Sequence, residues 1–149
     1  ETKIKLELDI PENAEKITKI NSEEFNPKGT DIHNTISKCA VMASKDLKVK
    51  AIVASTLSGR TALDIASLRP DSFIVATTTD PKVARKLALK WGVYTKVVPM
   101  YTDTDEIVKE GVNAATEILG LSEGDYVAVV GGFPYEAHTN FLKIQRVDE

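Results

Sequence analysis

The run Ser55-Thr56-Leu57-Ser58-Gly59-Arg60-Thr61 gathers four hydroxyls, a glycine and a guanidinium within seven residues. Those groups suit an anion. Hydroxyls donate to it, Arg60 supplies charge and a forked set of donors, and Gly59 lets the backbone approach closely. A helix starting just after the loop adds the free N–H groups of its first turn, and phosphate is the anion such an arrangement serves. The loop is not of the Walker type, because the spaced glycines and the closing Gly-Lys-Ser/Thr are missing. An ordinary capped turn uses the same residue types, so that reading stands beside the phosphate one.

A second loop, residues 131–140, combines hinge-like glycines with aromatic rings. Gly132, Phe133, Pro134, Tyr135 and Glu136 form a candidate ligand flap, with a plain connection as the alternative. Glu136 would repel a phosphate unless it faced away or met a cation. No set of side chains has the types and spacing of a catalytic or metal centre, and none is assigned. The two histidines, His33 and His138, fall on a helix start and in a loop, without metal-ligand spacing. Cys39 lies on the apolar face of a helix and reads as a buried structural thiol rather than a nucleophile. Asp103, Asp105 and Glu106 read as helix N-terminal charges that suit the dipole. Trp91 and Tyr94 read as packing at a helix end.

The elements that must position these residues follow from periodicity. Thr30 or Asp31 caps a helix to about Leu47, with Ile32, Ile36, Cys39, Ala40, Ala43 and Leu47 recurring on one face. A short β-rich run at 49–54 leads into the hydroxyl loop, and a helix over 61–68 stops before Pro70. The apolar run 73–76 reads as a strand covered on both faces. Asp80-Pro81 opens a helix to about Trp91, and a third strand is expected at 96–99. A helix capped by Asp103 or Thr104 runs to Leu119, with Gly120 at its C-terminal stop. Residues 126–130 make the fourth strand, and the alternating run 141–147 makes a half-exposed edge strand. Strands separated by helices imply parallel βαβ units, whereas the last strand, reached without a helix, should be antiparallel. The expected fold is a three-layer α/β/α sandwich around a mostly parallel five-stranded sheet. In such sheets ligands sit at the carboxyl ends of the strands, where both loops lie.

Composition narrows the classes. The chain has 149 residues, 42% hydrophobic and 28% charged, which suits one soluble domain. Its 19 Lys and Arg against 22 Asp and Glu give a net charge of −3, which argues against nucleic acid or an anionic membrane as a main partner. No apolar stretch approaches the roughly 20 residues of a membrane span, and the opening run Glu-Thr-Lys-Ile-Lys-Leu-Glu does not read as a signal peptide. A single cysteine excludes an intrachain disulfide and points to a reducing cytoplasm. Glu1 in place of an initiator Met fits an excised piece of a longer chain.

Several blocks in order carry a family resemblance: 51–61, Arg69-Pro70, 85–94 and 138–144. With them, residues 30–149 resemble the C-terminal domain of pyruvate kinase. Residues 1–29 resemble the family's last barrel helix and the linker out of it. The resemblance implies a parent enzyme of glycolysis that converts phosphoenolpyruvate and ADP to pyruvate and ATP. It also implies that the catalytic lysine and the Mg²⁺ and K⁺ sites belong to a barrel absent from this chain, so this chain needs no cofactor and is not an enzyme alone. In many members this domain helps assemble a homotetramer and binds a phosphorylated effector. The family's phosphate loop maps onto Ser55, Thr56, Ser58, Gly59 and Thr61, with Arg60 inside it.

Two departures bear on the effector. Members that hold both phosphates of fructose 1,6-bisphosphate use a basic side chain in the region matching 102–111. Here that region offers Asp103, Asp105, Glu106 and Glu110, with Lys109 its only cation. The flap is about one residue short and carries Glu136. The expectation is therefore AMP or a sugar monophosphate rather than the bisphosphate. The alternatives are a purely structural subunit-contact domain and a stand-alone protein reusing the fold.

Overall fold

The computed structural model describes residues 31–134 and 138–148. The leader 1–29 and the flap residues Tyr135 and Glu136 lie outside the described residues. Helix α1 (Ile32–Leu47) precedes β1 (Ala51–Ser55), and α2 (Arg60–Ser67) leads to β2 (Phe73–Thr78). Then come α3 (Pro81–Ala88), β3 (Val93–Val97), α4 (Thr104–Leu119), β4 (Tyr126–Gly131) and β5 (Phe141–Arg146). The helices begin where short polar side chains can accept first-turn N–H groups: Asp31, Asp80 and Asp103 cap α1, α3 and α4. Glu106 also accepts from the Thr102 N–H at 3.1 Å, so the acidic group of the sequence works as a cap.

The sheet order is β3-β2-β1-β4-β5. All pairings are parallel except the antiparallel β4–β5 pair. Alternate side chains of the central strands supply two cores. Ile52, Ala54, Ala76, Ala128 and Val130 meet Ala40 of α1, Ala62 and Ile65 of α2 and Leu87 of α3. Val53, Val75, Val127 and Val129 meet Val108, Val112 and Ala115 of α4. Period-two burial on both faces explains the near-continuous apolar runs, and makes this the expected three-layer sandwich with an antiparallel last strand. No helix among the described residues is long and apolar enough to cross a membrane.

Three expectations change. The third strand begins at Val93, and α3 ends at Ala88, because the 89–92 turn with Gly92 at φ 75° releases the chain early. Trp91 does not pack at the helix end: it is 81% exposed, with the Arg69 guanidinium 5.9 Å from its ring. The largest change is in α1, which buries His33, Ser37, Ala40 and Ser44. Of the expected apolar stripe, Ala40 is buried and Ile36 packs against the core, but Ile32 and Leu47 turn outward, 63% and 53% exposed. Cys39 is exposed with them and is not a buried structural thiol. The small residues Ser37, Ala40 and Ser44, three and four apart, let α1 lie close to α2 and the β4–β5 side of the sheet, where bulkier side chains would hold it away.

Candidate functional site

The strand order places a topological switch between β1 and β4: from β1 the chain winds outward through β2 and β3, then returns to the other side. The carboxyl ends of β1 and β4 flank a crevice there, the place where open α/β sheets hold ligands. It forms a cavity of about 280 Å³.

One wall is the loop 55–61. Ser55, Thr56, Ser58, Arg60 and Thr61 line the cavity, whereas Gly59 lies beneath them, buried. Gly59 has φ 89°, a backbone state that side chains rarely adopt, and it heads α2 without a side-chain cap. A Cβ there would stand 3.2 Å from Leu87 Cδ2 and 3.3 Å from Val83 Cγ1, so the loop is also pressed onto α3. The Gly59 N–H donates to Thr56 Oγ1 at 2.9 Å, which folds the loop upon itself. The first turn of α2 therefore faces the cavity with few internal acceptors, its nearest being Ser58 Oγ, 3.4 Å from Arg60 N.

A second polar wall was not visible from spacing. Thr77, Thr78 and Thr79 at the end of β2 add hydroxyls. Thr139 comes from the β4–β5 connection, its hydroxyl 2.7 Å from that of Thr61, tying the start of β5 to α2. Both histidines line the same cavity. His33 reaches it from α1 and pairs through Nε2 with Asp64 of α2, and Arg60 Nε lies 3.5 Å from the same carboxylate oxygen. Asp64 follows Arg60 by one helical turn, a spacing that could have flagged the pair.

Of the candidate flap, Gly132 lines the cavity. Phe133 and Pro134 belong to a neck closed by Asn140, whose Oδ1 accepts from Phe133 N at 3.1 Å and whose Nδ2 donates to Phe133 O at 2.7 Å. The remaining wall is apolar: Val98, Pro99, Met100 and Ile107, with Tyr101 among them. Burial first, then the Glu110 and Glu106 carboxylates, raise the Tyr101 phenol above its usual value, so it stays a neutral donor. Lys109 does not line the cavity. Among the described residues, no group of three or more His, Cys, Asp or Glu side chains is placed to hold a metal ion. The chemistry on offer is anion binding by hydroxyls, N–H groups and one guanidinium, beside an apolar wall.

Comparison with known proteins gives this arrangement a family. The model of the pyruvate kinase alpha/beta domain matches residues 34–145. The chain belongs to that family. A pyruvate kinase of Clostridium acetobutylicum is 36% identical over 146 residues, which cover 93% of this chain and 30% of that protein. The Geobacillus stearothermophilus pyruvate kinase is 35% identical over 132 residues, 87% of this chain and 22% of its own length. Among solved structures, a pyruvate kinase from Cryptosporidium parvum superposes with a TM-score of 0.71 at 31% identity. The match covers 80% of this chain and 23% of that one. A second structure of the Cryptosporidium parvum pyruvate kinase, in complex with ADP, gives a TM-score of 0.72 at 30% identity, covering 80% of this chain and 24% of its own. The chain thus corresponds to the C-terminal α/β domain and spans under a third of these pyruvate kinases.

Proposed function

We propose that this chain is the regulatory and assembly domain of a cytoplasmic pyruvate kinase, and that the cavity at 55–61 binds a phosphate monoester as allosteric effector. In this reading phosphoryl transfer from phosphoenolpyruvate to ADP, with its Mg²⁺ and K⁺, is the work of a catalytic barrel, and this domain alone is not an enzyme. The observation that carries the reading is the convergence of the loop hydroxyls, Arg60 and the uncapped first turn of α2 at the switch point of the sheet. The far wall supports a single phosphate: it is apolar, with Glu106 and Glu110 near Tyr101 where a second phosphate would need a cation. AMP or a sugar monophosphate therefore fits better than fructose 1,6-bisphosphate. Regulation then requires that the ester bind two quaternary states with different affinity.

The exposed stripe of α1 favours an assembly role in addition. Ile32, Cys39, Met42 and Leu47 are exposed along one helix whose neighbour β5 is a sheet edge. A second copy of this chain is the occupant we assign to that face, through a self-complementary contact in a homo-oligomer.

Calorimetric titration with AMP, glucose 6-phosphate, ribose 5-phosphate and fructose 1,6-bisphosphate tests the ester reading. One monoester should saturate, and Ser58→Ala with Thr61→Ala should weaken it at least about tenfold, as loss of two hydrogen bonds to a charged group implies. Unchanged affinity in the double variant would remove the site assignment.

A further inference from the structure

Among the described residues, His33 is the one buried ionisable side chain lining the cavity. Its backbone N–H donates to the Asp31 carboxylate at 3.1 Å, which fixes the residue in the first turn of α1. Its imidazole turns inward and is held by Asp64. That single carboxylate also receives Arg60, the one lysine or arginine lining the cavity among the described residues. The charge arithmetic follows directly. With His33 neutral, Asp64 offsets Arg60, and a phosphate meets hydroxyls without net positive charge. With His33 protonated, the group of three carries a net positive charge at the phosphate side of the cavity.

We propose that His33 is a phosphate-binding group of this site, positioned by Asp64, and that a phosphate monoester binds with uptake of a proton onto its imidazole. The proposal rests on the ester reading of the cavity. An imidazole between a carboxylate and a phosphate dianion is favoured in its charged form by both neighbours. The other groups facing it do little to oppose this. Asp31 at the head of α1 is a further anion, the loop 55–59 and Thr139 are neutral, and His138 from the β4–β5 connection is exposed. Among the described residues lining the cavity, Arg60 is the one opposing lysine or arginine, and its guanidinium is turned to Asp64. Glu136 lies outside the described residues. The ester itself works the other way, since its second proton leaves near pH 6 and a bound dianion releases it. Net uptake near neutrality must come from the protein.

The test is calorimetry of the full chain with AMP, glucose 6-phosphate and ribose 5-phosphate at pH 7.5, in buffers of different ionisation heat. A fraction of a proton should be taken up per ester bound, and binding should tighten about fivefold between pH 8 and pH 6.5. His33→Gln keeps a donor toward Asp64 and should abolish both the uptake and the pH dependence. Asp64→Asn leaves Arg60 unopposed, so it should bind the ester more tightly than wild type at pH 8 while taking up less proton. A merely damaged site would bind more weakly in that variant. Ester binding without proton uptake overturns the role of His33 and leaves the ester site standing. Uptake that survives His33→Gln and disappears in His138→Gln overturns it as well. Failure of all three esters to bind removes the ester reading and this inference together.

Discussion

The two ends of the same sheet are built from different chemistry. At the carboxyl ends of the strands the surface is concave and lined by hydroxyls, a guanidinium and two imidazoles. At the amino ends it is aromatic and exposed: Phe73 opens β2, Tyr94 lies near the start of β3, and Tyr126 opens β4. Phe73 and Tyr94 meet edge to face with centroids 5.9 Å apart, and Arg69 stands over Trp91 close by. The parallel arrangement itself makes this difference. Each βα connection brings a helix N-terminus, with its free N–H groups, to the carboxyl end, so polar ligands are served there. The αβ connections bring helix C-termini to the other end, and no comparable set of donors arises.

The sharpest way to break the comparison is through two glycines, one at each end. Gly59 and Gly92 both have positive φ, but a Cβ on Gly59 meets Leu87 and Val83, whereas one on Gly92 meets nothing within 4 Å. Gly59→Ala should cost about 2 kcal/mol of stability, from backbone strain plus crowding. It should also loosen ester binding. Gly92→Ala should cost about 1 kcal/mol, from the backbone alone, and leave ester affinity unchanged. Denaturant melts with ester titrations decide this, and equal costs would mean that the contact with α3 does not hold the loop. Trp91→Ala comes next in size. Loss of an exposed cation–π contact should cost roughly 0.5 kcal/mol and leave ester binding within twofold, and a larger binding defect would join the two ends functionally. The smallest effect concerns Tyr101. Its phenol is raised in the folded state, so the stability it contributes is present below about pH 10, the ordinary tyrosine value, and lost as pH rises through the folded value. Above pH 10 the thermal midpoint should fall more steeply in wild type than in Tyr101→Phe. Parallel slopes would place the phenol in solvent.

Legibility along the chain followed the range of the interactions involved. The loop 55–61 stands out because its residue types are local: hydroxyls, a glycine and an arginine in one run, followed by a helix. The caps at Asp31, Asp80 and Asp103 are local in the same sense, each bonding within three residues. Strand β3 was displaced because the turn after α3 competes with helix propensity in a run of lysine, leucine and tryptophan. The buried face of α1 was read correctly at Ile36 and Ala40 and misread at Ile32, Cys39 and Leu47 for a different reason. Its apolar stripe is longer and bulkier than the face that packs, and hydrophobic periodicity does not say whether a stripe meets this domain's core or another surface. His33 and His138 carry no spacing signal, since the contacts that join them to the cavity run between distant parts of the chain.

By itself the sequence determined the type of each layer, the order of its elements and the place of the hydroxyl-rich loop 55–61 between β1 and α2. Period-two and period-3.6 burial, capping and turn chemistry act over a few residues and leave their mark on residue type. Only the tertiary structure decided which groups share the cavity. The order β3-β2-β1-β4-β5 sets β4 beside β1 and so brings His138 and Thr139 to the loop. The close packing of α1 on its small residues turns His33 inward to Asp64 and leaves Ile32, Cys39 and Leu47 facing out. Those outcomes depend on how whole elements fit against one another in space, a property that no local run of residues contains.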